Sequence, residues 1–136
     1  MNFTVVLDTN VFISGIHWKG ICELLLRKWI NNEFQVIISP EIIEELLRVL
    51  KIFKIPMEED KINFWKQLLI EKSTLVYPTI KLQVVRNDPD DNKFIEAAID
   101  GGANFIVSQD KHLLSIRKYE EIKIVNPKEF LELLNS

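Results

Sequence analysis

The sequence predicts an α/β fold, a three-layer α/β/α sandwich with a central, mainly parallel sheet, and three observations carry that prediction. Short apolar runs such as "VVL" and "FIV" lack the in-out alternation of a half-exposed strand, as expected for strands buried on both faces. These runs alternate with segments of helical period such as "PEIIEELLRVL", which argues for βαβ units. The junctions carry helix punctuation: Ser39 with Pro40 and Asn126 with Pro127 read as an N-cap followed by proline at the first helical position, and Gly101 with Gly102 as a stop.

In chain order, strands are expected near Phe3 to Leu7, Gln35 to Ile38, Leu82 to Val85, Asn104 to Val107 and Lys123 to Val125. Helices are expected near Gly20 to Asn31, Pro40 to Leu50, Met57 to Lys72, Asp90 to Asp100 and Pro127 to Leu134, with a further helix-like stretch starting at Asn10. The 136 residues fit one domain, 1–136, large enough to bury a core without staples. Apolar residues at 47% and charged residues at 27% exclude a disordered chain. The lone cysteine, Cys22, lies in an apolar stretch and is expected to be a buried structural thiol. With neither a signal-peptide pattern nor an apolar run near the roughly 20 residues of a membrane helix, the expected location is cytoplasmic, with no membrane partner.

The acids fall in an ordered way. Asp8 ends the first strand, where ligands of parallel sheets gather, although an acid there also suits a helix N-cap. Asp110 repeats the arrangement just beyond "FIVS". In "NDPDDNKF" the acids Asp88, Asp90 and Asp91 crowd the mouth of a helix, more than capping requires, and the spacing leaves open which of them serves a site. After the second expected strand, Glu41, Glu44 and Glu45 share one helix; Glu45 lies nearest the apolar stripe, at roughly 120° from its centre against roughly 140° for Glu44 and roughly 160° for Glu41.

Four carboxylates converging on one crevice, Asp8, Asp110, one from the Asp88–Asp91 run and one from the glutamate-bearing helix, would repel one another unless a cation neutralised them. Mg²⁺ or Mn²⁺ suits oxygen ligands, whereas zinc is disfavoured because Cys22 stands alone and His17 and His112 lie far apart. A metal so held activates water for attack on phosphorus without a serine or histidine nucleophile, which suits phosphodiester hydrolysis. The net charge of −3, from 17 basic and 20 acidic residues, does not announce a nucleic-acid binder. Basic residues nonetheless border the acidic segments: Arg86, Lys93, Lys111, His112, Arg117 and Lys118.

The segments "LDTNVFISG", "SPEIIEELLRVL" and "DPDDNKFIEAAIDGGANFIVSQDKHLL", with the closing strand and helix, resemble the PIN domain, and most closely the bacterial and archaeal branch of VapC-type toxin components of toxin–antitoxin systems. The resemblance runs over essentially the whole chain, in order and spacing. It implies a metal-dependent endoribonuclease with Asp8, Glu45, Asp91 and Asp110 as catalytic and metal-binding acids. Asn10 and Ser108 match positions that support the first and last acids, Ser108 replacing the commoner threonine, and Asp88 and Asp90 match flanking acids. Lys93, Lys111 and His112 are the expected substrate-binding groups. The resemblance further implies an RNA substrate, a cognate antitoxin protein and a homodimer, for which the amphipathic stretch around Phe64, Trp65 and Leu68 to Ile70 offers a helix face.

Other chemistries fit less well. A haloacid-dehalogenase-type phosphotransferase needs a second acid two residues after the first, where Asn10 stands, and four glycines in no phosphate-loop pattern exclude a nucleotide-cradling turn. A receiver-type signalling domain would need a lysine at a later strand end and fewer acids before the fourth helix. The remaining alternative is a PIN-fold RNA- or metal-binding regulatory module with little or no turnover.

Overall fold

The computed structural model describes residues 2–53, 55 and 57–136. Its centre is a six-stranded sheet in the order β3-β2-β1-β4-β6-β5. The strands are β1 (Thr4–Leu7), β2 (Gln35–Ile38), β3 (Ser73–Leu75), β4 (Phe105–Val107), β5 (Lys118–Tyr119) and β6 (Ile122–Val125). All neighbours run parallel except β5, which turns back antiparallel on β6. Strand β1 lies between β2 and β4, in register Val5 to Val36 and Leu7 to Val107. The chain leaves β1 for β2 and β3 on one side and returns for β4 and β6 on the other, so the order switches direction between β1 and β4. A crevice beyond the carboxyl ends of the strands follows at that switch point.

The helices are α1 (Thr9–His17), α2 (Ile21–Ile30), α3 (Pro40–Ile52), α4 (Glu59–Lys72), α5 (Asn92–Gly101), α6 (Lys111–Leu114) and α7 (Pro127–Leu134). They cover both faces of the sheet, which is why Val5, Val6, Leu7, Ile106 and Val107 are all buried and the central strands read as unbroken apolar runs. The expected punctuation is in place. Ser39 caps α3 by accepting from the Ile42 N–H, and Asn126 and Glu129 form a reciprocal capping box at α7. Gly102 ends α5 in the left-handed conformation, φ 66°. One residue earlier, Gly101 lies against Ile37 of β2, where a Cβ would come within 2.8 Å of the Ile37 Cγ2. Phe3, Phe34 and Phe105 gather around Phe130 of α7, and Phe12 meets Trp29 edge-on beneath α1 and α2. Cys22 is buried and free, as expected.

One expected strand is absent. Residues Leu82 to Val85 do not join the sheet, and the edge position beside β2 belongs to β3. The backbone donors of the expected strand are taken by side chains of α5 instead: Glu96 accepts from Leu82 N at 2.8 Å, and the Asn92 carboxamide accepts from both Val84 and Val85 at 2.9 and 2.8 Å. Satisfied in this way, the segment has no need of a ladder. Among the described residues, no helix is long and apolar enough to cross a membrane. Helix α4 buries Ile62 and Leu69, half-buries Trp65 and Leu68, and leaves Phe64 and Ile70 exposed.

Candidate metal centre

The sheet delivers two loops to the switch point. Asp8 follows β1 and stands at the N-cap position of α1, yet its side chain makes no capping hydrogen bond. It turns across to β4 instead, where its Oδ2 accepts from the Ser108 hydroxyl at 2.7 Å. The same Ser108 oxygen accepts from the Asp110 N–H at 2.9 Å, so one buried hydroxyl ties the first acid to the backbone of the last. Asp110 does act as a cap, accepting from the His112 N–H at 2.8 Å at the start of α6. Asn10 is exposed, and its backbone N–H lies near enough to the Asp8 carboxyl to favour its charged form without forming a capping hydrogen bond.

The third element is the 3-10 turn Pro89–Asp91 that leads into α5. The Asn92 side chain braces it by donating to the Pro89 carbonyl at 2.9 Å while holding Val84 and Val85. This turn separates the three neighbouring acids. Asp88 and Asp91 are directed to Asp110, each of the three offering an oxygen with all of these atoms within 4.8 Å of one another. Asp90 points the other way, to Lys93 at 2.9 Å.

Glu45, on α3, approaches from the opposite wall. Its Oε2 accepts from the Thr9 hydroxyl and its Oε1 binds the Lys93 ammonium at 3.0 Å. Glu41, by contrast, is exposed and pairs with Lys81, and Glu44 is exposed, in keeping with the ordering expected from the apolar stripe. Lys93 is buried and engaged by acids, so it does not present a free ammonium to solvent; Lys111 is exposed and His112 half-buried beside Asp110.

Crowding shows in the proton affinities. Burial pushes the Asp8 carboxyl up to about 6, with repulsion from Asp110 and Glu45 adding to it while Ser108 and the Asn10 N–H temper the rise. Burial also drives Asp91 to about 8, reinforced by its hydrogen bond with Asp110 and by repulsion from Asp8, Asp88 and Asp110. Burial works against the Asp110 charge, but the proton lent by Asp91 and the His112 N–H together hold its carboxyl below the usual range. The Asp90 carboxyl is likewise lowered, chiefly by its hydrogen bond to Lys93.

This arrangement fits a hard divalent cation. Asp91 is only 8% exposed, and its Oδ2 is buried without a hydrogen-bond partner among the described residues. An orphaned buried carboxylate oxygen between two further acids is costly as it stands and is satisfied by a cation. The donors are all carboxylate oxygens, a ligand set compatible with a divalent metal ion.

Sequence reasoning did not single out Thr9, Asn92 or Glu96. Thr9 carried a usable signal, a small polar residue directly after a strand-ending acid; the roles of Asn92 and Glu96 depend on a loop path that periodicity does not show.

No curated protein matches the chain. The structure is similar to that of VapBC2 from Rickettsia felis bound to a DNA fragment from their promoter, with TM-score 0.61 and 13% identity over 90% of this chain and 98% of that one. It is also similar to PAE2754 from Pyrobaculum aerophilum, with TM-score 0.58 and 15% identity over 98% and 89% of the two chains. FitAcB from Neisseria gonorrhoeae follows with TM-score 0.53 and 12% identity over 91% and 98%. At such identities the likeness speaks to the fold. The PIN domain family matches residues 4–112, a span that begins at β1 and includes every acid of the site, and the chain belongs to that family.

Proposed function

We propose that the chain is a Mg²⁺- or Mn²⁺-dependent endoribonuclease, with Asp8, Asp91 and Asp110 at the centre of its site, Asp88 beside them, and Glu45 on the facing wall. The observation that carries this reading is the buried, unpartnered Asp91 oxygen held among acids at the switch point of the sheet. The bound ion would supply a water of lowered pKa and a Lewis acid for the phosphodiester. The chain's own residues prepare the place. Ser108 fixes Asp8 relative to Asp110, the 3-10 turn and Asn92 fix Asp91, and a hydrophobic floor of Leu7 and Val107 limits water below. The exposed Lys111 supplies positive charge, and the half-buried His112 an imidazole, on the rim beside Asp110 for the RNA backbone.

The likeness to VapBC2 and FitAcB, with the resemblance of the acidic motifs to VapC-type chains, supports the toxin role in a toxin–antitoxin pair, acting in the cytoplasm against RNA and restrained by a cognate antitoxin. The exposed Phe64 and Ile70 of α4 offer apolar surface for that protein or for a second copy of the chain. The deciding experiment is cleavage of a mixed single-stranded RNA pool by wild type and Asp8→Asn, with Mg²⁺, Mn²⁺ or excess EDTA. Cleavage confined to wild type with metal is expected. A folded protein that binds metal and RNA but leaves every RNA intact would refute the nuclease and identify a regulatory binding module.

A further inference from the structure

Among the described residues Lys93 is the basic side chain that the fold buries, at 6% exposure, and it is linked to the Asp8 loop through Glu45, which also accepts from Thr9. A lysine ammonium has three N–H donors. Three oxygens receive them: Glu45 Oε1 at 3.0 Å, Asp90 Oδ2 at 2.9 Å and the Asp90 carbonyl at 3.0 Å. The Phe94 ring, 5.1 Å from the nitrogen, lies on a further side. The ammonium is thus a desolvated cation in a full shell of protein oxygens. Glu45 is equally committed, one oxygen to Lys93 and the other to Thr9, and it is not among the three acids whose oxygens converge. The crevice therefore has two kinds of wall: Asp88, Asp91 and Asp110 with an oxygen left over, and Glu45 and Asp90, each with an oxygen already bound to the one Lys93 ammonium.

We propose that the Lys93 ammonium is the built-in second cation of this site. It takes the place beside Glu45 that a second divalent ion would fill in a two-ion centre, so the chain binds a single divalent ion at the aspartates. Glu45 is then a positioning residue that holds Lys93, not a metal ligand. The inference rests on the metal-centre reading above and deepens it. Two-ion centres clamp the attacking and leaving oxygens between ions about 3.5 to 4 Å apart, and a fixed ammonium supplies a single positive charge on that side at no cost in metal recruitment.

The test counts ions. Mn²⁺ bound per full-length chain is measured by calorimetry and by the loss of the free-Mn²⁺ electron paramagnetic resonance signal, for wild type, Lys93→Met, Lys93→Arg, Glu45→Gln and Asp91→Asn. Wild type and Lys93→Arg are expected to bind one ion, and Lys93→Met, which uncovers Glu45 and Asp90, two. Glu45→Gln should still bind one, with an affinity within about threefold of wild type, whereas loss of a true ligand would cost about tenfold or more. Two ions in wild type, one in a folded Lys93→Met, or a tenfold loss in Glu45→Gln would each overturn the proposal. If Lys93→Met does not fold, the Glu45→Gln affinity decides alone. Failure of the underlying reading looks different: wild type would bind no ion, or Asp91→Asn would bind as well as wild type, and the proposal would fall with it.

Discussion

Replacing Asp8 by asparagine should stabilise the metal-free protein. Burial holds the Asp8 carboxyl at about 6 in the folded chain against an ordinary 3.8. Between those values the folded chain keeps a proton that the unfolded chain has released, so stability is full at low pH, falls as pH rises through this window, and stays reduced above it. The separation corresponds to about 3 kcal/mol at pH 7.5 and roughly half of that at pH 5. Asparagine has no charge to desolvate, and its oxygen can still accept from Ser108, at a loss of about 1 kcal/mol for the weaker hydrogen bond. A net gain of about 2 kcal/mol remains, which for a domain of this size raises Tm by about 8 °C. The assay is thermal unfolding followed by circular dichroism in excess EDTA at the two pH values. An Asp8→Asn variant that melts at or below wild type at pH 7.5, or whose advantage does not shrink at pH 5, would refute the reasoning. Saturating Mn²⁺ should reverse the order, because only wild type then gains binding energy.

Other outcomes follow from the same geometry. In Asp91→Asn, Mn²⁺ at about a hundred times the wild-type Kd should give none of the about 2.7 kcal/mol of stabilisation expected for wild type, as read from Tm with and without metal. Because Asp91 holds its proton up to about 8, Mn²⁺ must displace that proton at neutral pH. Affinity should therefore rise from pH 6 to pH 8, and calorimetry in buffers of different ionisation enthalpy should register proton release; a pH-independent affinity would contradict it. Asn92→Ala removes acceptors from two backbone donors and the brace on the 3-10 turn, and should cost about 2 to 3 kcal/mol in denaturant unfolding while weakening Mn²⁺ binding. Gly101→Ala should cost about 1 to 3 kcal/mol despite the better helix propensity of alanine, since the new methyl meets buried Ile37, and Ile37→Val should recover part of the loss.

The central strands and helices α2, α3, α4, α5 and α7 were legible because each is dictated locally, by an apolar run or by helical period, with sequence punctuation at α3, α5 and α7. Asp8 and Asp110 were legible as strand-ending acids, and the apolar stripe of α3 was enough to favour Glu45 over Glu41 and Glu44. The segment from Leu82 to Val85 misled because its apolar residues have the composition of a strand, whereas the partners of its amides are side chains on α5. The true edge strand β3 carries Ser73 and Thr74 and is partly exposed, so it has no apolar run to betray it. The choice among Asp88, Asp90 and Asp91 turned on the 3-10 turn, which rotates neighbouring side chains apart in a way that spacing alone does not encode. Lys93 looked like a phosphate contact because charge without burial is all that a sequence displays.

The Ser108 hydroxyl joins positions 100 residues apart, and nothing within the first three strands and four helices completes the constellation. During synthesis the ribosome must therefore release β4 and the loop behind it before Asp8 meets its counterpart. A nascent fragment ending anywhere before that loop lacks Ser108 and Asp110, so the acidic constellation cannot assemble until both loops have left the ribosome. The same layout makes a break in the stretch between β3 and α5 a way to divide the protein into two parts, Asp8 in one and Ser108 with Asp110 in the other, whose reassociation restores the crevice.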